Sequence, residues 1–315
     1  MSSSDFCNNV HKLVLQAPTD KITVYDDLPL IVIVGPTASG KTGLAIELAK
    51  EYEGEIICAD SRTVYKGLDI GTAKPTKAEQ AVVPHWGLDL VDPGDYFSAA
   101  DFKEYAIQKI HEIRTRGNVP LLVGGTGLYI DAVLFDYQFG ERVDEPLRQK
   151  LQQMTLEELH EYCNKNSIVL PENFKNKRYV IRSIENNNQN LQKKAEPISN
   201  SIIVGISTEK SFLRTRIEQR SEQLFENGVV DEAIMLGKKY GWDNEAMKSN
   251  VYLLIRKYVD DLMSIDDVKK TSITLDWRLA KRQMTWLRRN RFIQWLSLDD
   301  ARNYLFNQLA IHRQP

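Results

Sequence analysis

The chain has 315 residues, 42% hydrophobic and 27% charged, with a formal net charge of −2. That length suits about two domains, no run of about 18 apolar residues exists to span a membrane, and the near-neutral total does not advertise a nucleic-acid binder. Cys7, Cys58 and Cys163 are far apart, with no C-x-x-C pair and no neighbouring His cluster, which speaks against a disulfide framework and a zinc site and for a cytoplasmic location.

Residues 1–27 carry Asp5, Asp20, Asp26 and Asp27 and no Arg. They lack the features of a secretory signal or transit peptide and read as a poorly ordered N-terminal extension. Leu30–Val34 is apolar throughout and predicts a buried strand, leading through a glycine-rich loop into a helix from about Thr42 to Tyr52. Glu55–Ala59 predicts a second strand ending at Asp60. Ala99–Arg116 has helical spacing and stops at Gly117. Val119–Val123 predicts a third strand, ending in Gly124-Gly125-Thr126-Gly127. Strands alternating with helices imply an α/β fold with a parallel sheet covered on both faces, and ligands gather at the carboxyl ends of such strands.

Beyond about Phe135 the strand signals stop. Residues 136–196 are polar, with helical stretches at Glu145–Met154 and Arg178–Asn186, and predict a small helical insertion. Ser201–Ser207 reads as a strand that returns the chain to the sheet. The remainder, 197–315, completes the core with helices predicted over Lys210–Tyr240, around Tyr252–Asp261, and over Asp276–Leu296. Arg278, Lys281, Arg282, Arg288, Arg289 and Arg291 form a basic run without an acid among them. Such a face can bind phosphates although distant carboxylates cancel the total.

The segment Gly35–Thr42, G-P-T-A-S-G-K-T, matches G-x-x-x-x-G-K-[ST] between a predicted strand and helix. Its glycines let the backbone wrap an anion with N–H groups, and the helix N-terminus adds positive potential. Gly35, Pro36, Thr37, Ala38, Ser39, Gly40, Lys41 and Thr42 are the candidate phosphate-binding residues. Lys41 supplies a point charge, and the Thr42 hydroxyl can hold Mg²⁺. The strand over Val119–Val123 ends in Gly-Gly-Thr, not in the Asp that an NTP-hydrolysing site uses for its metal, although Asp60 can fill that place.

The stretch A-D-S-R-T-V-Y-K-G-L-D-I-G-T-A-K-P at 59–75 resembles the tRNA dimethylallyltransferase (tRNA isopentenyltransferase) family. Further segments match in order: V-P-H-W-G-L-D at 83–89, D-P-G-D-Y-F-S at 92–98, L-V-G-G-T-G-L-Y at 122–129, N-K-R-Y-V-I-R-S-I-E at 176–185, L-R-T-R-I-E-Q-R at 213–220 and A-K-R-Q-M-T-W-L-R at 280–288. The resemblance implies a P-loop NTPase-like core and a monomeric Mg²⁺-dependent enzyme. Its reaction would pass a dimethylallyl group from dimethylallyl diphosphate to N6 of an adenine beside the anticodon of tRNA. The loop's phosphate is then a leaving group, not an energy source. Asp60 would serve as general base, Thr126 would sit near the reacting centre, and Lys41 and Arg216 would meet the diphosphate. The tRNA would be met by Asp60, Ser61, Arg62, Thr63, by Arg178 and Arg182 in the insertion, and by Lys281, Arg282, Gln283 and Arg288.

Each assignment has a plainer competitor. Asp60 can cap the next turn, Thr126 can satisfy a buried backbone group, and Arg216 can pair with Glu209 or Glu222 on a helix surface. The family's Ile-Gly-Tyr is Asn250-Val251-Tyr252 here, and its Thr-Arg ahead of A-K-R-Q is Asp276-Trp277, so one tRNA-side cation is missing. Both departures lie on the acceptor half. Three other functions remain open: an adenylate isopentenyltransferase with AMP, ADP or ATP as acceptor, a small-molecule P-loop kinase, and an RNA-binding protein that has lost catalysis. The helical insertion and basic C-terminal helix favour tRNA over a mononucleotide.

Overall fold

A computed structural model describes residues 28–139, 145–186 and 192–312. The expected N-terminal extension lies outside the described residues. Chain contacts divide the molecule into two compact units, Phe135–Glu196 and the chain on either side of it.

In the larger unit, β1 (Leu30–Val34) leads into α1 (Lys41–Glu51), followed by β2 (Gly54–Ala59), α2 (Lys77–Val82), β3 (His85–Trp86), α3 (Ala99–Thr115), β4 (Val119–Gly124) and α4 (Gly127–Leu134). In the smaller unit lie α5 (Glu145–Gln153), α6 (Leu156–Lys165) and α7 (Lys177–Asn186). The larger unit resumes with β5 (Ser201–Ile206), α8 (Lys210–Glu226), α9 (Val229–Tyr240), a 3₁₀ turn at Ala246–Lys248, α10 (Asn250–Val259), α11 (Ile265–Leu287), β6 (Gln294–Leu296) and α12 (Leu298–His312). All six strands pair in parallel, in the order β3-β2-β4-β1-β5-β6.

The central strands are apolar because both faces are covered. Every residue of β1, β2 and β4 is buried. On one face, α1 contributes Leu44, Ala45, Leu48 and Ala49, and α12 contributes Ala301, Leu305 and Leu309. The i, i+4 spacing of these residues puts them on one helical stripe, and each large aliphatic side chain so buried stabilises the fold by roughly 1.5–3 kcal/mol. The smaller unit has its own core of Leu151, Leu159, Cys163, Val180, Ile181 and Ile184. Thr155 and Glu158 form a capping box that starts α6.

Two helix boundaries differ from the sequence expectation. The helix expected over Lys210–Tyr240 is two helices, α8 and α9, because Gly228 adopts a left-handed φ of 90°. Asn227-Gly228 is the usual stop signal, placed inside an otherwise continuous apolar pattern. The helix expected over Asp276–Leu296 begins earlier, at an N-cap on Ser264 that receives Asp267 N–H, and ends at Leu287. Asn290 turns the chain by accepting the Phe292 N–H at 3.0 Å. Gln294–Leu296 then pairs with β5 as an edge strand. The apolar residues of that segment fit a helical period, but its backbone pairs with the edge of β5, where Trp295 and Leu296 are half-buried. Helices α2, α4, α6 and α12 and the two-residue strand β3 are additional to the expected elements.

Candidate active site

Strand order decides what meets what. In the sheet β4 lies between β1 and β2, and Val34 and Ala59 both register with Gly124. The chain therefore leaves three neighbouring strands on one level, and the phosphate loop, Asp60 and the Gly-Gly-Thr turn emerge side by side. That level is the carboxyl edge of the sheet, where loops can surround a ligand.

The phosphate loop is folded and braced. Thr37 and Ser39 are 7% and 1% exposed. Ala38 holds a φ of 62°, a conformation that residues with a Cβ rarely adopt. The Lys41 ammonium reaches back to the Pro36 carbonyl at 3.1 Å. Burial and the adjacent Arg220 charge lower its pKa to about 8, while Asp60 pulls the other way. A lysine carrying that strain gains from a bound anion, which restores its preference for the charged form.

Helix α8 brings two arginines to this loop. The sequence points to Arg216; a Cβ placed on Gly40 would sit 3.1 Å from its Nη1, so the guanidinium lies over the loop. It stacks 5.1 Å from the Phe212 ring and forms no ion pair with Glu209 or Glu222. The structure adds Arg220, one turn on and on the same face. Its Nη1 donates to the Thr37 hydroxyl and its Nη2 to the Thr72 carbonyl at 3.4 Å. Arg220 Nε and Ser39 Oγ are buried with no hydrogen-bond partner among the described residues. A buried donor left unmatched costs about 1–3 kcal/mol, so the pair marks a place built for a polar ligand. The i, i+4 spacing of Arg216 and Arg220 is the sequence signal that could have revealed the second arginine.

Asp60 and Thr126 do what their plainer readings require, and are held in place by it. Asp60 Oδ1 accepts the Arg62 N–H at 2.8 Å, while Oδ2 carries no hydrogen bond from the described residues. Thr126 Oγ1 accepts the Ser61 N–H at 3.1 Å, tying the β4 turn to the β2 turn. Thr63 is buried, with its hydroxyl 3.4 Å from the Asp60 carbonyl. It faces the turn rather than solvent.

Helix α11 locks the arrangement from the other side. Gln283 Oε1 accepts the Thr37 N–H at 2.8 Å, so this residue, expected on the tRNA side, serves the phosphate loop. A Cβ on Gly127 would fall 2.0 Å from Trp286 Cδ1, and Trp286 Nε1 donates to Asp131 at 2.7 Å. Trp286 and the buried Leu287 thus pack against the fold. Thr42 is half-buried in the first turn of α1, and its hydroxyl makes no hydrogen bond among the described residues. No group of three or more His, Cys, Asp or Glu gathers to hold a metal among the described residues. A hydroxyl with few protein partners suits Mg²⁺, which keeps several waters and takes substrate phosphate oxygens.

Comparison with known proteins agrees with the fold and with the family resemblance. The family model described as IPP transferase matches residues 63–290. The tRNA dimethylallyltransferases of Bacillus subtilis (strain 168) and Acetivibrio thermocellus are 37% and 38% identical, each over 86% of this chain and over 91% and 92% of their own. The solved full-length tRNA isopentenylpyrophosphate transferase from Bacillus halodurans superposes with a TM-score of 0.68 at 34% identity, covering 90% of this chain and 97% of its own. The chain belongs to the tRNA dimethylallyltransferase family.

Within that family the acceptor half of this chain has its own features. Asn250 Nδ2 donates to Asp276 Oδ1 at 3.1 Å, so the two departures from the family pattern are bonded to each other. Val251 is buried in the first turn of α10. Trp277 packs against the cluster of Leu213, Ile217 and Ala280, as does Ala38 of the phosphate loop, and the Lys281 ammonium lies 5.2 Å over the Trp277 ring. Arg278, Lys281, Arg282, Arg288, Arg289 and Arg291 are all exposed, and none forms an ion pair among the described residues. Six unpaired cations on one helix and its C-terminal turn make a surface suited to a nucleic-acid backbone. Arg62 is paired with Glu245, donating to its carbonyl at 2.5 Å. In the smaller unit Arg178 is exposed, and Arg182 lies 3.3 Å from Glu185, which Arg148 also engages.

Proposed function

We propose that the chain transfers the dimethylallyl group of dimethylallyl diphosphate to N6 of an adenine beside the anticodon of tRNA, releasing diphosphate. The observation that carries this reading is the meeting of half-buried Lys41 and Arg220 at the phosphate loop with Asp60 and Thr126 at the next strand ends. The N6 lone pair attacks C1 of the allyl group as the C1–O bond breaks, and the bond's electron pair leaves on the bridging oxygen. An N6 proton passes to Asp60, whose Oδ1 is steadied by the Arg62 N–H while Oδ2 takes the proton. Negative charge growing on the diphosphate is met by loop N–H groups, Lys41, Arg216 and Arg220.

Thr42, with diphosphate oxygens, would hold Mg²⁺, which when bound adds charge stabilisation to the leaving group. The target base would be extruded from its loop to reach Asp60, with the exposed cations of α11 on the tRNA backbone. Incubating the protein with labelled dimethylallyl diphosphate and Mg²⁺, with tRNA in one tube and AMP plus ATP in another, tests this. Label is expected in tRNA only. Label in the mononucleotide alone overturns the acceptor assignment, and label in neither overturns the reaction.

A further inference from the structure

Helix α9 carries a carboxylate that none of these roles uses. Glu232 is 8% exposed and has no cationic partner among the described residues. Its Oε2 accepts the N–H groups of Asp69 at 2.9 Å and Ile70 at 2.7 Å, and its Oε1 accepts the Gly71 N–H at 2.9 Å and the Tyr252 hydroxyl at 2.6 Å. Three consecutive N–H groups converging on one anion form a nest, here filled by the protein's own side chain. Burying a carboxylate without a cation is costly unless every lone pair is matched, and four donors supply that match. Tyr252 closes the nest from behind: it is fully buried, and a Cβ on Gly71 would lie 2.6 Å from its ring.

The nest acts on the next residue. Thr72 follows Gly71, its hydroxyl returns to the Leu68 carbonyl at 2.5 Å, and its own carbonyl accepts Arg220 Nη2. The far side of the turn is pinned by Lys74, whose ammonium lies 2.6 Å from both Asp69 and Asp89 and 3.0 Å from the Tyr65 carbonyl. A turn gripped at both ends presents the Thr72 carbonyl at one position. Among the described residues, that carbonyl and the Thr37 hydroxyl are the two acceptors that orient Arg220.

We propose that Glu232 is a positioning residue for the diphosphate site. By fixing the Asp69–Thr72 turn, it sets Arg220 against the phosphate loop with Nε left for the ligand. This rests on the reading of Arg220 as a diphosphate-binding group. Glu232→Gln places an amide N–H₂ against the N–H donors of the nest, which displaces the turn.

The test measures steady-state kinetics, tRNA retention and thermal unfolding for Glu232→Gln, Arg220→Gln and the double variant. Glu232→Gln is expected to raise KM for dimethylallyl diphosphate about tenfold, with kcat within about threefold and tRNA retention unchanged. The double variant should be no worse than Arg220→Gln alone, since Glu232 acts through that arginine. An unchanged KM, or effects that add in full, overturns the proposal. If Arg220→Gln itself leaves KM untouched, the reading of Arg220 fails and the proposal falls with it for that distinct reason. Should Glu232→Gln not fold, Glu232→Asp keeps the charge but draws the turn inward. It is then expected to raise the same KM about threefold without changing kcat, and an unchanged KM again overturns the proposal.

Discussion

Arg220→Gln removes a charge from the phosphate loop while leaving an amide that can still donate to the Thr37 hydroxyl. Two effects oppose each other. The lost guanidinium no longer meets the diphosphate, and a hydrogen bond to a charged group contributes about 1.5–3 kcal/mol. At about 1.4 kcal/mol per factor of ten, that is roughly a 10- to 150-fold loss in kcat/KM for dimethylallyl diphosphate. Against this, Arg220 is one of the causes that lower the Lys41 pKa to about 8, so its removal lets Lys41 hold its proton more firmly. At pH 7 a group with that pKa is already about nine-tenths protonated, and the gain is at most about a tenth. The loss wins. The assay varies dimethylallyl diphosphate at saturating tRNA and follows label in tRNA, with thermal unfolding as a control for folding. A folded variant whose kcat/KM stays within about twofold of the parent would refute the argument.

Asp60→Asn keeps an acceptor for the Arg62 N–H but cannot take the N6 proton. A fall in kcat of about 10²–10⁴ is expected with tRNA retention preserved, and near-normal turnover would remove Asp60 from the role of base. Arg288→Ala should weaken tRNA binding and reduce the slope of log K against log salt by about one; filter binding across a salt series reads both. Glu55 is 3% exposed and receives Arg116 Nε at 2.9 Å, Arg116 Nη2 at 2.8 Å, Asn118 Nδ2 at 2.8 Å and Trp86 Nε1 at 2.6 Å. Burial pushes its carboxyl up, but the bonds from Arg116, Asn118 and Trp86 outweigh burial and hold it below the usual carboxylate range. Its stabilisation is therefore present above the unfolded value of about 4.3 and lost as pH falls through the folded value. Glu55→Gln should cost about 3 kcal/mol at neutral pH, with the gap to the parent closing below about pH 4; a gap that stays constant across denaturant melts in this range would sink the idea. Gly127→Ala should destabilise the fold by about 2 kcal/mol or more, since the added Cβ must displace Trp286 and break its bond to Asp131. Urea unfolding checks it, and parental stability would show that the turn yields freely.

Local features were legible from one end of the chain to the other. The apolar run Leu30–Val34, the loop to Thr42 and the helix after it appear as expected, because a buried parallel strand and a phosphate loop are written in consecutive residues. The capping signals Thr155-x-x-Glu158 and Ser264-x-x-Asp267 were equally local and would have started α6 and α11 correctly. Gly228 also announced its break, but an apolar pattern on both sides hid it.

What the sequence by itself determined is the inventory: a phosphate loop, a carboxylate after β2, a Gly-Gly-Thr turn after β4, and a basic run near the C-terminus. Only the tertiary structure decided that β4 inserts between β1 and β2, so that the first three stand on one level. It alone also decided that Arg220 joins the site, that Gln283 takes the Thr37 N–H, and that Glu232 grips the turn beside them. Gln283 and Thr37 are 246 positions apart, and Arg220 and Thr37 are 183. Periodicity and propensity describe neighbours along the chain, within a few residues of one another. Contacts at those separations depend on which faces the whole core buries; a local pattern such as the i, i+4 spacing of Arg216 and Arg220 puts two residues on one face without fixing what that face meets.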